Sequence, residues 1–103
     1  REKTKRRDIG KLIMDKSDIA IFTMDDPRYE SVDEIINQMV LNDTDYIRII
    51  DRREAIKYAL SIATPSSVVL ILGKGRDDYM AIKDKKIKYC DYDVICDFYK
   101  GKE

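Results

Sequence analysis

The chain has 103 residues, of which 44% are hydrophobic and 39% are charged, so its length suits one globular domain with one core. Its 20 basic and 20 acidic residues cancel, which excludes a generally basic nucleic-acid-binding domain and an acidic disordered tail. The absence of histidine excludes a histidine-based triad or zinc site, and no apolar run reaches the roughly 18 residues of a membrane span. We therefore expect neither nucleic acid nor membrane as a partner.

The first half of the chain predicts a strand–helix unit behind a basic segment. Residues 1–7 (REKTKRR) hold five basic residues and one acidic residue, and they lead into a short helix near Ile9. Residues 18–23 (DIAIFT) form a continuous apolar run, which is typical of a strand buried on both faces. After a loop at residues 25–30, Ser31 is expected to cap a helix, since a glutamate follows three residues later.

The same pattern then repeats. Residues 46–50 (YIRII) predict a second strand, and Asp51 is expected to cap a helix that runs to residue 63. Residues 67–72 (SVVLIL) predict a third, very apolar strand.

The last part of the chain predicts a hairpin or short edge strands over residues 81–89, and a final helix capped by Asp91 or Asp93. Alternating strands and helices predict an α/β domain with a layered, mostly parallel sheet. Because the chain opens on a basic segment and not on a strand, we expect a fragment whose first strand lies upstream. We therefore also expect an exposed sheet edge where that strand would pair, so that the fragment either dimerises or leaves residues 1–7 poorly ordered.

Two loops follow predicted strands and have an unusual composition. The first loop, residues 25–28 (DDPR), combines two carboxylates and a guanidinium on a turn that a proline stiffens. The second loop, residues 73–77 (GKGRD), has two glycines that permit close backbone approach, followed by charged residues. Ligands of open α/β sheets bind beyond the carboxyl ends of the strands, so both loops are expected to face one small zwitterionic or anionic ligand. Simple turns remain an alternative reading of these residues.

The second loop is not a nucleotide-binding P-loop. That motif requires a glycine, four residues and then Gly-Lys-Ser/Thr, and the sequence contains no such string. Any nucleotide is therefore expected to be held mainly by residues outside this chain. The two cysteines, Cys90 and Cys96, lack CxxC spacing and are typical of reduced thiols, which favours a cytoplasmic location.

Four motifs in order resemble the C-terminal domain of the Mur ligases. Residues 1–6 (REKTKR) are similar to the family's GxRDxxKRP segment, and residues 25–28 to its D-N-P-R loop. Residues 51–59 (DRREAIKYA) resemble its D-R-x-x-A-I helix start, and residues 67–79 (SVVLILGKGRDDY) its V-V-L-I-A-G-K-G-H-E-x-Y strand and loop. The resemblance covers nearly the whole chain and is strongest to the members that add the third residue of the peptidoglycan peptide.

The resemblance implies that residues 1–103 are the Rossmann-like, three-layer C-terminal domain of a larger ligase, without its N-terminal UDP-sugar domain and central ATPase domain. It implies ATP-dependent amide synthesis through an acyl phosphate, adding diaminopimelate or a similar diamino acid to UDP-N-acetylmuramoyl-L-Ala-D-Glu in the bacterial cytoplasm. ATP and magnesium would be bound mainly by the central domain. The partners would be the amino acid, the UDP-linked dipeptide, ATP and the rest of the same ligase chain.

The resemblance also implies roles for residues at matched positions, with no catalytic residue in this domain. Arg1 would meet the carboxylate of the incoming amino acid, and the first loop would recognise that amino acid. Gly73 and Asp77 would bind its far, non-reacting end. The full expected binding set is Arg1, Asp25, Asp26, Pro27, Arg28, Gly73 and Asp77.

Three positions depart from the family pattern. Asp26 stands where asparagine is usual, Arg7 replaces a proline, and Arg76-Asp77 replaces His-Glu. An aspartate reaches about one methylene less than a glutamate, so the sequence leaves open whether diaminopimelate, lanthionine or lysine is added. Two other functions stay open: another ligase of the superfamily (an alanyl-, D-glutamyl- or folylpolyglutamate-type member), or a non-catalytic flavodoxin-like interaction module. A GxxGKT motif upstream in the parent gene would favour the ligase.

Overall fold

A computed structural model describes residues 4–41, 43–74 and 77–101 of the chain. Within these ranges the chain is an α/β protein with a small parallel sheet and a hairpin, and each helix is too short or too polar to cross a membrane. The elements in chain order are α1 Thr4–Lys16, β1 Ile21–Phe22, α2 Val32–Val40, β2 Ile47–Arg48, α3 Arg52–Ile62, β3 Tyr79–Ile82, β4 Lys85–Lys88 and α4 Asp91–Lys100.

The parallel sheet joins β1 and β2, which α2 connects along the chain. The register pairs are Ile21 with Ile47 and Phe22 with Arg48. Backbone hydrogen bonds extend this pairing toward the first loop, since the amide of Met24 donates to the carbonyl of Ile50 at 3.3 Å. The predicted parallel arrangement of these two strands is confirmed, although both are shorter than their apolar runs.

Two of the three predicted helix caps are present. The side chains of Ser31 and Asp51 each accept a hydrogen bond from the amide three residues on, at 3.4 Å and 3.1 Å. The predicted cap of the last helix is wrong, because Cys90 occupies that position and makes no side-chain cap bond. Asp91 is instead the first residue of α4, and a buried arginine binds its carboxylate.

The basic amino-terminal segment contributes to the fold. Helix α1 begins within it, and Arg6 is buried with hydrogen bonds to Glu30 and Gln38. Arg7 binds the carboxylate of Asp43 at 3.0 Å. These arginines therefore tie α1 to α2 and to the segment that follows the first loop.

The helices α1 and α2 approach closely at Gly10. A Cβ atom at this position would lie 2.2 Å from the carbonyl oxygen of Met39, so only glycine permits the observed contact. The buried side chains beside this contact are Ala20, Phe22, Ile36 and Val40.

A second apolar cluster holds the hairpin against α3 and α4. Its buried members are Ile56, Met80, Tyr89 and Val94. Met24 and Ile71 pack against it from the chain segments that lead into the two loops. Both loops are therefore anchored on the same apolar base.

The predicted third strand is absent from the described structure. Residues 67–72 are not part of a ladder, and Val68, Leu70 and Leu72 are 84%, 77% and 60% exposed. A strand requires a neighbour that satisfies its amide and carbonyl groups, and within the described ranges β1 pairs only with β2. This apolar row of Val68, Leu70 and Leu72 is uncovered in the described structure.

Candidate functional site

The structure brings the two loops together, although 48 residues separate them along the chain. The ammonium of Lys74 lies 2.7 Å from a carboxylate oxygen of Asp26. One residue earlier, the backbone of Gly73 packs directly against the side chain of Asp25. The loops therefore meet over consecutive residues.

A buried arginine fixes the points at which both loops start. Arg52, the first residue of α3, donates to the carbonyl of Met24 at 3.1 Å and to the carbonyl of Leu72 at 2.9 Å. These carbonyls belong to the residues immediately before the first and second loops. Arg52 therefore sets the spacing between the loops.

The guanidinium of Arg52 is held in turn by α4. Its Nε and Nη2 atoms donate to the two carboxylate oxygens of Asp91 at 2.9 Å and 2.8 Å, and the hydroxyl of Tyr89 donates to the same carboxylate at 2.7 Å. Burial alone would raise the pKa of Asp91, but the hydrogen bonds from Arg52 and Tyr89 outweigh it and lower that pKa. Burial and the contact with Asp91 raise the pKa of Tyr89. The cluster therefore holds a charged, hydrogen-bonded pair and a neutral phenol.

Gly73 is required by two independent features. Its φ of +108° lies in the left-handed region that side chains disfavour. A Cβ atom there would also lie 2.5 Å from Oδ2 of Asp25. The glycine therefore lets the second loop pass close to the first.

Replacing Gly73 by alanine is expected to destabilise this junction by roughly 1–3 kcal/mol, because the backbone is strained and Asp25 must move. Thermal unfolding measures the effect. Gly101→Ala is the matched control, since a Cβ there would meet its nearest atom at 3.6 Å and the backbone is helical. Equal thermal unfolding midpoints for Gly73→Ala and Gly101→Ala would contradict the role assigned to Gly73 at this junction.

Lys74 lies at the centre of the junction. Its side chain is fully buried, and its ammonium lies 2.7 Å from Asp26, 3.5 Å from Asp77 and 4.9 Å from the ring centre of Tyr79. Burial would lower the pKa of Lys74, but the hydrogen bond and charge of Asp26 raise it above its ordinary value. The residue is therefore a protonated cation shared by both loops.

Asp26 is bound by two other parts of the structure. The oxygen that binds Lys74 also accepts a hydrogen bond from the amide of Ala81 in β3 at 2.9 Å. Burial would raise the pKa of Asp26, but these hydrogen bonds and the charges of Lys74 and Arg28 lower it. Asp26 therefore anchors the first loop to the second loop and to the hairpin.

The backbone of Arg28 is fixed while its side chain is exposed. Its amide donates to the carbonyl of Ala81 at 3.1 Å, and its carbonyl accepts from the amide of Lys83 at 2.6 Å. Its φ of 56° is left-handed, which is uncommon for a residue with a side chain. Pro27 beside it is buried. The hairpin therefore presents the Arg28 guanidinium to solvent from a rigid support.

Asp77 offers a second accessible charge. Its side chain is 46% exposed, and its amide donates to the carbonyl of Lys74 at 3.0 Å. Arg1, which is expected to meet the incoming carboxylate, lies outside the described residues, as does Arg76. The described site thus presents a guanidinium and a carboxylate, a pair that suits a zwitterionic ligand.

Sequence reasoning missed the buried charges that support the site. Lys74 was part of the predicted loop but not of the expected binding set, although a lysine between two glycines after an apolar run was a usable signal. Arg52 and Asp91 both begin helices, and only the tertiary fold shows that they pair. Within the described ranges, no group of three or more acidic or cysteine side chains is placed to hold a metal ion.

Comparisons with known proteins identify relatives of this domain. Residues 1–75 match the family described as "Mur ligase, glutamate ligase domain". The UDP-N-acetylmuramoyl-L-alanyl-D-glutamate–2,6-diaminopimelate ligase of Clostridium perfringens is 39% identical over 99% of this chain and 22% of its own length. The ligase of the same name from Clostridium tetani is 41% identical over 92% of this chain and 20% of its own length.

A solved structure is also similar. A ligase described by the same name superposes with a TM-score of 0.91 and 27% identity, over 99% of this chain and 22% of that chain. This chain therefore spans about a fifth of the length of the ligases that it matches.

Proposed function

Because the chain belongs to the Mur ligase family, as a glutamate ligase domain, we propose that it is the amino-acid-binding C-terminal domain of a ligase that adds 2,6-diaminopimelate to UDP-N-acetylmuramoyl-L-alanyl-D-glutamate. Relatives that bear this name match nearly the whole chain. The observation that carries the proposal is the junction of the two loops, the first of which carries Arg28 and the second Asp77. The expected binding residues Arg1, Asp25, Asp26, Pro27 and Gly73 belong to this proposal.

The charges of the site fit the far end of diaminopimelate. That end carries one ammonium and one carboxylate, whereas the far end of lysine carries an ammonium alone. The exposed guanidinium of Arg28 suits the carboxylate, and the half-exposed carboxylate of Asp77 suits the ammonium. Binding there leaves the other amino group free to attack an activated acyl group.

ATP and magnesium are assigned in this proposal to the rest of the ligase chain. The sequence has no P-loop pattern, and the described residues contain no group of three or more acidic or cysteine side chains placed to hold a metal ion. ATP would activate the dipeptide carboxylate as an acyl phosphate. This domain would hold the attacking amino acid in place, and we propose the bacterial cytoplasm as the location, which the free thiols of Cys90 and Cys96 favour.

The same proposal gives the uncovered apolar row a partner. A strand from the rest of the ligase chain would pair with the backbone of residues 67–72, and the chain that leads to this strand would pack over the side chains of Val68, Leu70 and Leu72. Addition of that strand would complete a Rossmann-like, three-layer domain. The exposure of alternate residues supports this arrangement, because a strand presents every second side chain to one face.

Assaying the intact ligase with diaminopimelate, lanthionine and lysine tests the proposal. We expect amide formation that requires ATP and the UDP-linked dipeptide, with the highest kcat/KM for diaminopimelate. A preference for lysine or lanthionine would assign a different third residue. No product with any of the three would refute the ligase assignment.

The 103-residue chain alone is expected to hydrolyse no ATP and to form no amide, because it has no phosphate-cradling loop. Phosphate release measured with the purified chain checks this expectation, and the intact ligase is the positive control. Turnover of ATP by the isolated chain above the buffer background would contradict it.

A further inference from the structure

We propose that Lys74 is a positioning residue of the amino-acid site. Its ammonium ties Asp77 to Asp26 and thereby orients Asp77 toward the ligand. This inference rests on the proposed function. Lys74 is not expected to touch the amino acid, because its side chain is fully buried. Its effect must therefore pass through the two carboxylates that it contacts.

The geometry makes Lys74 the shared element of the two loops. Its ammonium donates to Asp26 at 2.7 Å and lies 3.5 Å from Oδ2 of Asp77, while the ring of Tyr79 packs beside it. Asp26 is itself fixed by the amide of Ala81, so it is the rigid end of this arrangement. Asp77 is the accessible end, with 46% of its side chain exposed.

Removal of the ammonium is expected to have two consequences. Asp26, whose side chain is only 24% exposed, would keep a carboxylate without its cation. Asp77 would lose the contact that directs it and would spread over more rotamers. The loss of Asp77 orientation weakens binding of the ammonium at the far end of diaminopimelate. It leaves the sites for ATP and the UDP-linked dipeptide unaffected.

The chain provides a matched control at the same aromatic ring. The ammonium of Lys86 lies 4.8 Å from the ring centre of Tyr79, nearly the distance of Lys74. Lys86 is exposed on β4, and no ion pair to it occurs within the described ranges. Lys86→Met therefore removes a lysine from the same ring without disconnecting the loops.

The experiment measures kcat and each substrate's KM in the intact ligase for Lys74→Met, Asp26→Asn/Lys74→Met and Lys86→Met. We expect Lys74→Met to raise the KM for diaminopimelate by about tenfold or more, with the KM values for ATP and the UDP-linked dipeptide within about twofold of wild type. The double variant removes the unpaired charge at residue 26 but still leaves Asp77 undirected. It should therefore fold as wild type and retain a raised KM for diaminopimelate. Lys86→Met should match wild type.

Four results would overturn the proposal, each for a stated reason. If the Lys74→Met enzyme folds and its KM for diaminopimelate is unchanged, Lys74 does not act on the site. If Lys74→Met does not fold, an unchanged KM in the double variant leads to the same conclusion. A parallel loss for all three substrates would show a structural role alone, as would failure of both variants to fold. Absence of turnover by the wild-type ligase would refute the proposed function and this inference together, whereas the other results refute this inference alone.

Discussion

Replacing Arg28 by alanine in the intact ligase is expected to lower kcat/KM for diaminopimelate by on the order of ten- to several-thousand-fold, while lysine is used almost as well as before or better. The far-end carboxylate of diaminopimelate would lose its guanidinium partner and stay unpaired. Lysine has no such carboxylate. The expected result is therefore a change in selectivity between the two amino acids.

The structure provides a control for the backbone at this position. Arg28 has a left-handed φ of 56°, and alanine and lysine meet the same strain there because both carry a Cβ atom. Arg28→Lys keeps the charge but loses the two-pronged hydrogen bond, so its activity with diaminopimelate should fall between wild type and Arg28→Ala. Equal losses for diaminopimelate and lysine in Arg28→Ala would show that the residue supports the loop and does not read the substrate.

Replacing Arg52 by methionine is expected to have the largest effect on stability. The substitution leaves Asp91 buried without its cation and also leaves the carbonyls of Met24 and Leu72 without their donor. Breaking a buried ion pair from one side costs about 3–5 kcal/mol. The opening free energy of the α3 and α4 amides, measured by hydrogen exchange, should therefore be about 3–5 kcal/mol lower in Arg52→Met than in wild type.

The neighbouring arginine is the control for this substitution. Arg53 contacts Asp97 at 3.8 Å, and the two side chains are 45% and 60% exposed. Such surface pairs contribute about 0–1 kcal/mol, so Arg53→Met should leave exchange nearly unchanged. Similar effects of Arg52→Met and Arg53→Met would contradict the role assigned to the buried cluster.

The buried pair also predicts a pH dependence. The pKa of Asp91 in the folded protein lies below its ordinary value of 3.8, so the unfolded chain binds a proton more readily at this residue. The stabilisation is therefore fully present above that ordinary pKa and is lost as the pH falls through the folded value. The stability difference between wild type and Asp91→Asn should be constant near neutral pH and shrink in acid. A difference that stays constant into strong acid would contradict this origin.

Local sequence patterns predicted the elements that depend on near neighbours. The caps at Ser31 and Asp51 require only a side chain and an amide three residues on, so the capping pattern located the starts of α2 and α3. The hairpin of β3 and β4 was also predicted, because it depends on two short neighbouring strands that pair with each other across one turn. The meeting of the two loops was expected from the rule that loops after parallel strands share one edge of the sheet, although residues 67–72 before the second loop are not part of a ladder.

The remaining features depend on contacts that local sequence does not record. Residues 67–72 have the composition of a buried strand, but no described strand pairs with them. Asp91 has the sequence pattern of a helix cap, but it is the first residue of α4, and Arg52 binds its carboxylate. The importance of Lys74 arises from a partner 48 residues away. Buried charges require opposite charges nearby, and the tertiary structure alone reveals which residues meet.

A crystal structure of the intact ligase with bound diaminopimelate tests the central claim most directly. The distances to measure join the far-end carboxylate of the ligand to the Arg28 guanidinium, and its far-end ammonium to the carboxylate of Asp77. We predict hydrogen-bond distances of about 2.7–2.9 Å for both, with the two loops joined through Lys74 as in the free domain. A ligand bound away from the junction of the two loops, or with its far-end carboxylate turned away from Arg28, would contradict the account.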